Sequence, residues 1–365
     1  MPEFVPGQEL SGLFYAEAVA PILAEAFPQL RHSAALIGYG SEVLGYDTAR
    51  STDHEWGPRL LLFVSEEDYG AHRDRIIAVL AERLPATFRG YSTHFGPPDD
   101  EGVRLPQVRE TGPVDHKVEV LVAGSWFDSW LGIDPVAGLS VVEWLVLPQQ
   151  KLLEVTAGRV YHDGLGELEP RRAALAAYPH EVWLYVLACQ WRRIAQQEAF
   201  VGRTGEVGDE LGSGLVAATL VRDLMRLCFL MERRYAPYTK WFGTAFRRLA
   251  CAAELGPVFQ PVLAAARWQE REEHLCVAYE VVARLQNELG LARPVEGRTS
   301  RFHGRPFRVI HGDRFVAALA EAIVDPEVKG IVERVGWVGA IDQMTDNVDV
   351  LSSPERYRGL RALYE

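Results

Sequence analysis

Two short apolar runs, Ala34-Ala35-Leu36-Ile37 and Leu60-Leu61-Leu62-Phe63-Val64, bracket a polar, glycine-containing stretch of the chain. With Gly38 after the first run and Pro58 before the second, both read as buried strands rather than helices. Between them stands Gly40-Ser41, then eleven residues (42–52), then Asp53, with Glu55 two positions on. The expected layout is a strand, a Gly-Ser turn opening a helix, and a return strand carrying two carboxylates at its start. Side chains two apart on a strand share a face, so Asp53 and Glu55 converge on one hard cation. Mg²⁺ is usually held by one or two carboxylates plus substrate phosphates. The glycine lets backbone approach a phosphate, and N–H groups at a helix N-terminus favour an anion.

Gly40-Ser41, a gap of about a dozen residues and then acid-x-acid resembles the nucleotidyltransferase (DNA polymerase β-like) superfamily. Within it, the segment resembles a bacterial family that pairs this core with a C-terminal helical domain. The resemblance implies a third carboxylate on a neighbouring strand, and the match is Glu119 in the alternating run His116-Lys117-Val118-Glu119-Val120-Leu121-Val122. It also implies Mg²⁺-dependent transfer of a nucleoside monophosphate, AMP from ATP, to a hydroxyl. Asp53 and Glu55 would bridge two Mg²⁺ ions, and Glu119 would serve the ion that activates the acceptor and take its proton. Ser41 would hydrogen-bond a terminal phosphate. Two residues depart from the pattern: His54 stands where an apolar residue is usual, and Glu55 where Asp is commoner.

Around this core, Arg59 can reach a phosphate bidentately or pair with Glu55 or Asp53 as a structural bridge. Trp56 fills core or stacks on a base, and His54, on the opposite face from its neighbours, reads as a packed core histidine. Asp115 is a rival third acid that also reads as a solvated strand terminus.

A net charge of −12 argues against non-specific duplex binding, which depends on Lys and Arg neutralising phosphates. Cys189, Cys228, Cys251 and Cys276 have no zinc or redox spacing, as in a reduced cytoplasmic protein. No signal-like N-terminus or long apolar span is present, so neither a membrane nor export is expected.

Along the chain, helical spacing covers Glu9–Phe27 and Glu66–Leu84, and 86–114 reads as a strand around Thr87–His94 followed by a long loop that covers the site. After about residue 165 strands become rare. Helices are expected over His180–Phe200, Val207–Arg234, Tyr238–Ala253, Val258–Ala266, Arg267–Leu289 and Arg314–Val324, with a loop at Ala292–Arg305 and a strand at Phe307–Ile310. The expected fold class is α+β: a catalytic domain over 1–165, a nucleotidyltransferase-like mixed sheet flanked by helices, then a helical bundle domain over 166–365.

The helical half carries a second constellation, Glu198 to Glu210, with glycines and acids interrupting two helical patterns as an anion or substrate site would. From 171 to 250 there are twelve Arg/Lys against seven Asp/Glu, an excess of five that either neutralises a triphosphate or is a solvated basic face. Arg203 and Lys240 are the candidate triphosphate-binding cations, since helical domains of the superfamily often send a basic residue to it. Three functions remain in view: nucleotidyl transfer to a small molecule, the same chemistry on a tRNA end or protein side chain, and nucleotide binding without catalysis.

Overall fold

The computed structural model describes residues 3–53, 55–100 and 102–365, with Asp53 through its backbone alone. The chain divides into two compact units, Met1–Gly138 with Lys151–Ala176, and Leu139–Gln150 with Ala177–Glu365. The fold is α+β. No described helix is long and apolar enough to cross a membrane.

In the first unit the strands are β1 (His32–Leu36), β2 (Arg59–Val64), β3 (Thr87–Phe88), β4 (Tyr91–Ser92), β5 (Lys117–Leu121) and β6 (Arg159–Asp163). Four make a mixed sheet in the order β5-β2-β1-β6, with β1 antiparallel to both neighbours and β2 parallel to β5. Period-2 alternation sends Leu60, Leu62 and Val64 of β2 and Val118 and Val120 of β5 into one core, with Leu10, Phe14, Ile76 and Leu80 from the helices. The N-terminal helix runs Gly7–Phe14 and Ala20–Ala26 with a π turn, Tyr15–Val19, between. Pro21 has no N–H to give the preceding turn, and a π turn accommodates that loss. Ser65 caps Glu66–Arg83 by accepting from the Asp68 N–H, placing three acids in its first turn.

Two local expectations do not hold. Residues 41–45 form a hydrogen-bonded turn closed by the Tyr46 N–H on the Ser41 carbonyl, not the start of a helix. The return strand begins only at Arg59, because Ala49–Asp53 is a 3₁₀ helix and Glu55 has φ +50°. Strand alternation therefore does not bring Asp53 and Glu55 to one face.

The second unit is helical around His180–Gln197, which buries residues on every side, from Val182 to Trp191 without interruption and again at Ile194. Glu210–Met231 and Asp313–Ala322 pack on it, and Trp191 stacks on Phe315 at 4.0 Å. The helix expected over Tyr238–Ala253 stops at Phe246, and the next begins at Ala252. The break is held by Glu232, whose carboxylate accepts from the Ala250 and Cys251 N–H groups at 2.9 and 3.0 Å. A short hairpin, β7 (Ser300–Arg301) and β8 (Arg308–Val309), follows the Trp268–Glu288 helix.

Candidate active site

Parallel pairing puts Lys117 beside Arg59 and Glu119 beside Leu61. Because Val118 and Val120 face the core, Lys117 and Glu119 lie with Arg59 on the other face of the sheet. Arg59 is 5% exposed and bonded to Glu42, with Nε 2.8 Å and Nη2 2.7 Å from Oε1; Nη2 also donates to the Tyr39 carbonyl. Its guanidinium lies 4.6 Å from the Tyr39 ring centroid. Among the described residues Arg59 forms a structural bridge, with Glu42 as its partner. A buried guanidinium closed on a carboxylate in this way is not a free phosphate clamp.

Gly40 belongs to the same knot. At φ +123°, a Cβ there would lie 2.5 Å from Arg59 Nη2 and 2.6 Å from Glu42 Oε2. The glycine is required so that the turn can close over the ion pair. Ser41, half-buried, opens the turn itself.

Glu55 is 26% exposed, and its Oε1 is 3.0 Å from Lys117 Nζ. Lys117 is buried, with Nζ 5.2 Å from the Phe95 ring centroid. The loop expected to cover the site does reach it: the Arg104 N–H points at Glu55 Oε1 (3.4 Å), while the Arg104 side chain bonds the Gly96 and Phe95 carbonyls. Asp115, the rival third acid, is spent on Arg104 at 2.5 Å. Glu119 is exposed.

One group reports on the whole arrangement. The Tyr39 phenol is raised above its ordinary pKa, first by burial, against the lowering effect of Arg59, and then by Glu55, Glu119 and Glu42. The side chain of Asp53, and His54 altogether, lie outside the described residues. Trp56 is 2% exposed, stacked on Phe4 and edge-on to Tyr91, with its N–H on Asp47: it is core.

Glu55 and Glu119 have the hard-oxygen chemistry Mg²⁺ takes. Among the described residues no three His, Cys, Asp or Glu side chains surround one point. The two carboxylates suit such an ion in donor type; the side chain of Asp53, the other acid expected from the sequence, is outside the described residues.

Sequence reasoning passed over Tyr39, Glu42 and Lys117. Lys117 was visible only as a member of the alternating run around Glu119, and its tie to Glu55 across 62 positions depends on the β2–β5 register.

In the second unit, Arg203 lies on the Phe200–Glu206 helix, 54% exposed and 3.4 Å from Glu206. Lys240 is exposed in the first turn of Thr239–Phe246, with Nζ 5.2 Å from the Trp241 ring centroid. The Glu198–Glu210 constellation is absorbed by the fold. Glu198 is buried and accepts from the Ile310, His311 and Gly312 N–H groups at 2.9–3.2 Å. Asp209 caps the Glu210–Met231 helix through the Gly212 N–H, and Glu210 pairs with Arg271 at 2.5 Å. These acids tie helices and loops together, which removes the reading of the segment as an anion site. Cys189, Cys228, Cys251 and Cys276 are all free thiols.

Residues 144–242 match the family described as "Domain of unknown function (DUF4037)". The match begins beyond all three candidate acids and includes Arg203 and Lys240. Among solved structures, the chain is similar to a nucleotidyltransferase-like protein from Exiguobacterium sibiricum. That alignment has 12% identity and a TM-score of 0.34, and covers 86% of this chain and 91% of that one.

Proposed function

We propose that the first unit is a Mg²⁺-dependent nucleotidyltransferase that moves a nucleoside monophosphate, AMP from ATP, to a hydroxyl of a small molecule. The observation that carries the reading is that Glu55, from the segment before β2, is held 3.0 Å from Lys117 of β5, two positions from Glu119 on the same sheet face as Arg59. Asp53, Glu55 and Glu119 would hold two Mg²⁺ ions. When bound, such ions neutralise the triphosphate and favour ionisation of the acceptor hydroxyl.

The chain's own residues do the rest. Glu119, exposed on its strand, takes the hydroxyl proton as the acceptor oxygen bonds to the α-phosphorus. The bond from that phosphorus to the bridging oxygen breaks, and pyrophosphate leaves with the electron pair. Ser41 hydrogen-bonds a terminal phosphate, and the Arg59–Glu42 pair fixes the turn that presents it. The free thiols suit the cytoplasm.

Incubation with Mg²⁺ and ATP labelled at the α-phosphate, with metabolite, tRNA and protein fractions, tests the proposal. Label in the metabolite fraction, lost on Asp53→Ala, is the expected result. Label in another fraction moves the acceptor to a macromolecule. One contact favours a second reading, NTP binding without transfer: Lys117 already places a cation 3.0 Å from Glu55. ATP binding with no label in any fraction selects it.

A further inference from the structure

The arginine-rich segment around β7 and β8 is untouched by the chemistry above. From 293 to 314 the chain has six arginines and two histidines against Glu296 and Asp313, in a protein of net charge −12. The register sets Arg301 directly opposite Arg308. Side chains facing each other across an antiparallel pair share one face, and like charges there are destabilising. The neighbouring pair points the other way. Phe302 stacks on Phe307 at 5.9 Å, and Phe307 and Val309 pack with Ala199 and Trp268. The apolar back is anchored, so the arginine side faces outward, and Arg301, His303, Arg305 and Arg308 are all exposed.

Arg308 is partly engaged, its Nη2 donating to the Thr299 carbonyl at 3.0 Å and its backbone N–H to Glu272 at 2.9 Å. Among the described residues no carboxylate lies within ion-pair distance of Arg301. Arg305 and Arg203 share Glu206, at 3.7 and 3.4 Å. His303 holds φ +53°, in the left-handed region, with its ring 4.6 Å from that of Phe302. Exposed arginines with the exposed His303 imidazole at the hairpin's end form a surface suited to phosphates, with one ring for a base.

We infer that the β7–β8 hairpin binds the sugar–phosphate backbone of a single-stranded nucleic acid. Arg301 and Arg308 contact phosphates, and His303 offers a ring to a base. A single strand is favoured over an acidic protein segment because the latter has no use for the exposed His303 ring. It is favoured over a duplex because the basic area is short. A surface groove of about 460 Å³ beside Arg298 is lined by Glu280, Glu288 and Glu296 as well as Arg284, which ends the positive surface there. The inference stands apart from nucleotidyl transfer, since binding needs no NTP and no residue of the first unit.

The test is fluorescence anisotropy of the full chain with a labelled single-stranded RNA of about twelve nucleotides, at salt from about 50 to 200 mM. Binding that weakens with salt is expected, and equal binding of single-stranded DNA is consistent with backbone contacts. Arg301→Gln with Arg308→Gln lowers the slope of log affinity against log salt by about 0.7 per lost phosphate contact. His303→Ala weakens binding with the slope unchanged. Arg293→Gln, whose partner is Glu321 at 2.7 Å, leaves binding as it was. Circular dichroism shows whether each variant folds. No binding at the lowest salt overturns the inference, as does an unchanged slope in the folded double variant. Competition by a polyglutamate peptide as strong as by RNA overturns it in favour of an acidic protein partner.

Discussion

The sheet face of the first unit and the hairpin of the second handle positive charge in opposite ways. On the sheet, Arg59 and Lys117 are 5% and 7% exposed, and each is closed on a carboxylate, Glu42 or Glu55. On the hairpin, Arg301 and Arg308 are exposed and face each other. Taking a charge out of water is costly unless a partner replaces the water, so buried cations carry fixed partners and the site around them is rigid. Exposed cations bear no such requirement, and their charge remains available to something that docks. The sheet therefore uses its arginine and lysine as framework and leaves Glu119 open for chemistry. The hairpin's arginines are the functional groups themselves.

The hardest blow to this contrast would come from Glu119. Because it is exposed, Glu119→Gln should cut label transfer by about 10²–10⁴-fold, the range for losing a general base. Its unfolding free energy from urea titration should stay within roughly 0.5 kcal/mol of the parent. A large stability loss would place Glu119 in the framework instead. Next in size is Glu42→Ala, which strands the Arg59 guanidinium in a buried setting. A loss of about 3–5 kcal/mol is expected, measured by the same urea titration. If the variant were as stable as the parent, the pair would not be the framework it is taken for here.

The sequence reports the pieces of this contrast unequally. The two strands of the core were legible, since the runs 34–37 and 60–64 carry their own apolar signal and appear as β1 and β2. Glu119 was placed on its strand by alternation. The helix expected after Gly40-Ser41 was not there, because the glycine answers to the Arg59–Glu42 pair, and Glu42 had no local mark of being buried. The Lys117–Glu55 contact depends on long-range register and was invisible for that reason. The hairpin was half legible: the strand expected over Phe307–Ile310 contains β8, whereas β7 is polar and two residues long, so it read as loop. The acids at 198–210 misled because a carboxylate bonded to backbone N–H groups looks, in sequence, like one awaiting a ligand.

Glu198 sharpens the framework side of the comparison through pH. Burial raises its carboxyl to about 7 from an ordinary 4.5, against the lowering effect of the three N–H donors. The folded chain therefore holds a proton that the unfolded chain releases. This group's contribution to stability is full below about pH 4.5 and is lost as pH rises through about 7, a change of roughly 3 kcal/mol at 1.36 kcal/mol per pKa unit. Urea titrations at stepped pH should show that downward slope, and Glu198→Gln should flatten it. A parent slope that persists in the variant would assign the titration to another group.

The smallest expected effect tests the hairpin side, and its sign matters more than its size. If Arg301 and Arg308 are juxtaposed for a partner rather than for the fold, removing one relieves repulsion across the ladder. Arg301→Thr substitutes a residue that favours strands, so stability should rise by a few tenths of a kcal/mol. The local readout is hydrogen exchange at the Phe302 N–H, which bonds the Phe307 carbonyl at 3.0 Å and closes the hairpin. Slower exchange in the variant, together with weaker RNA binding, is the pattern of a residue kept for binding at a cost in stability. Faster exchange would mean that Arg301 holds the hairpin together, and the two surfaces would then differ in exposure alone.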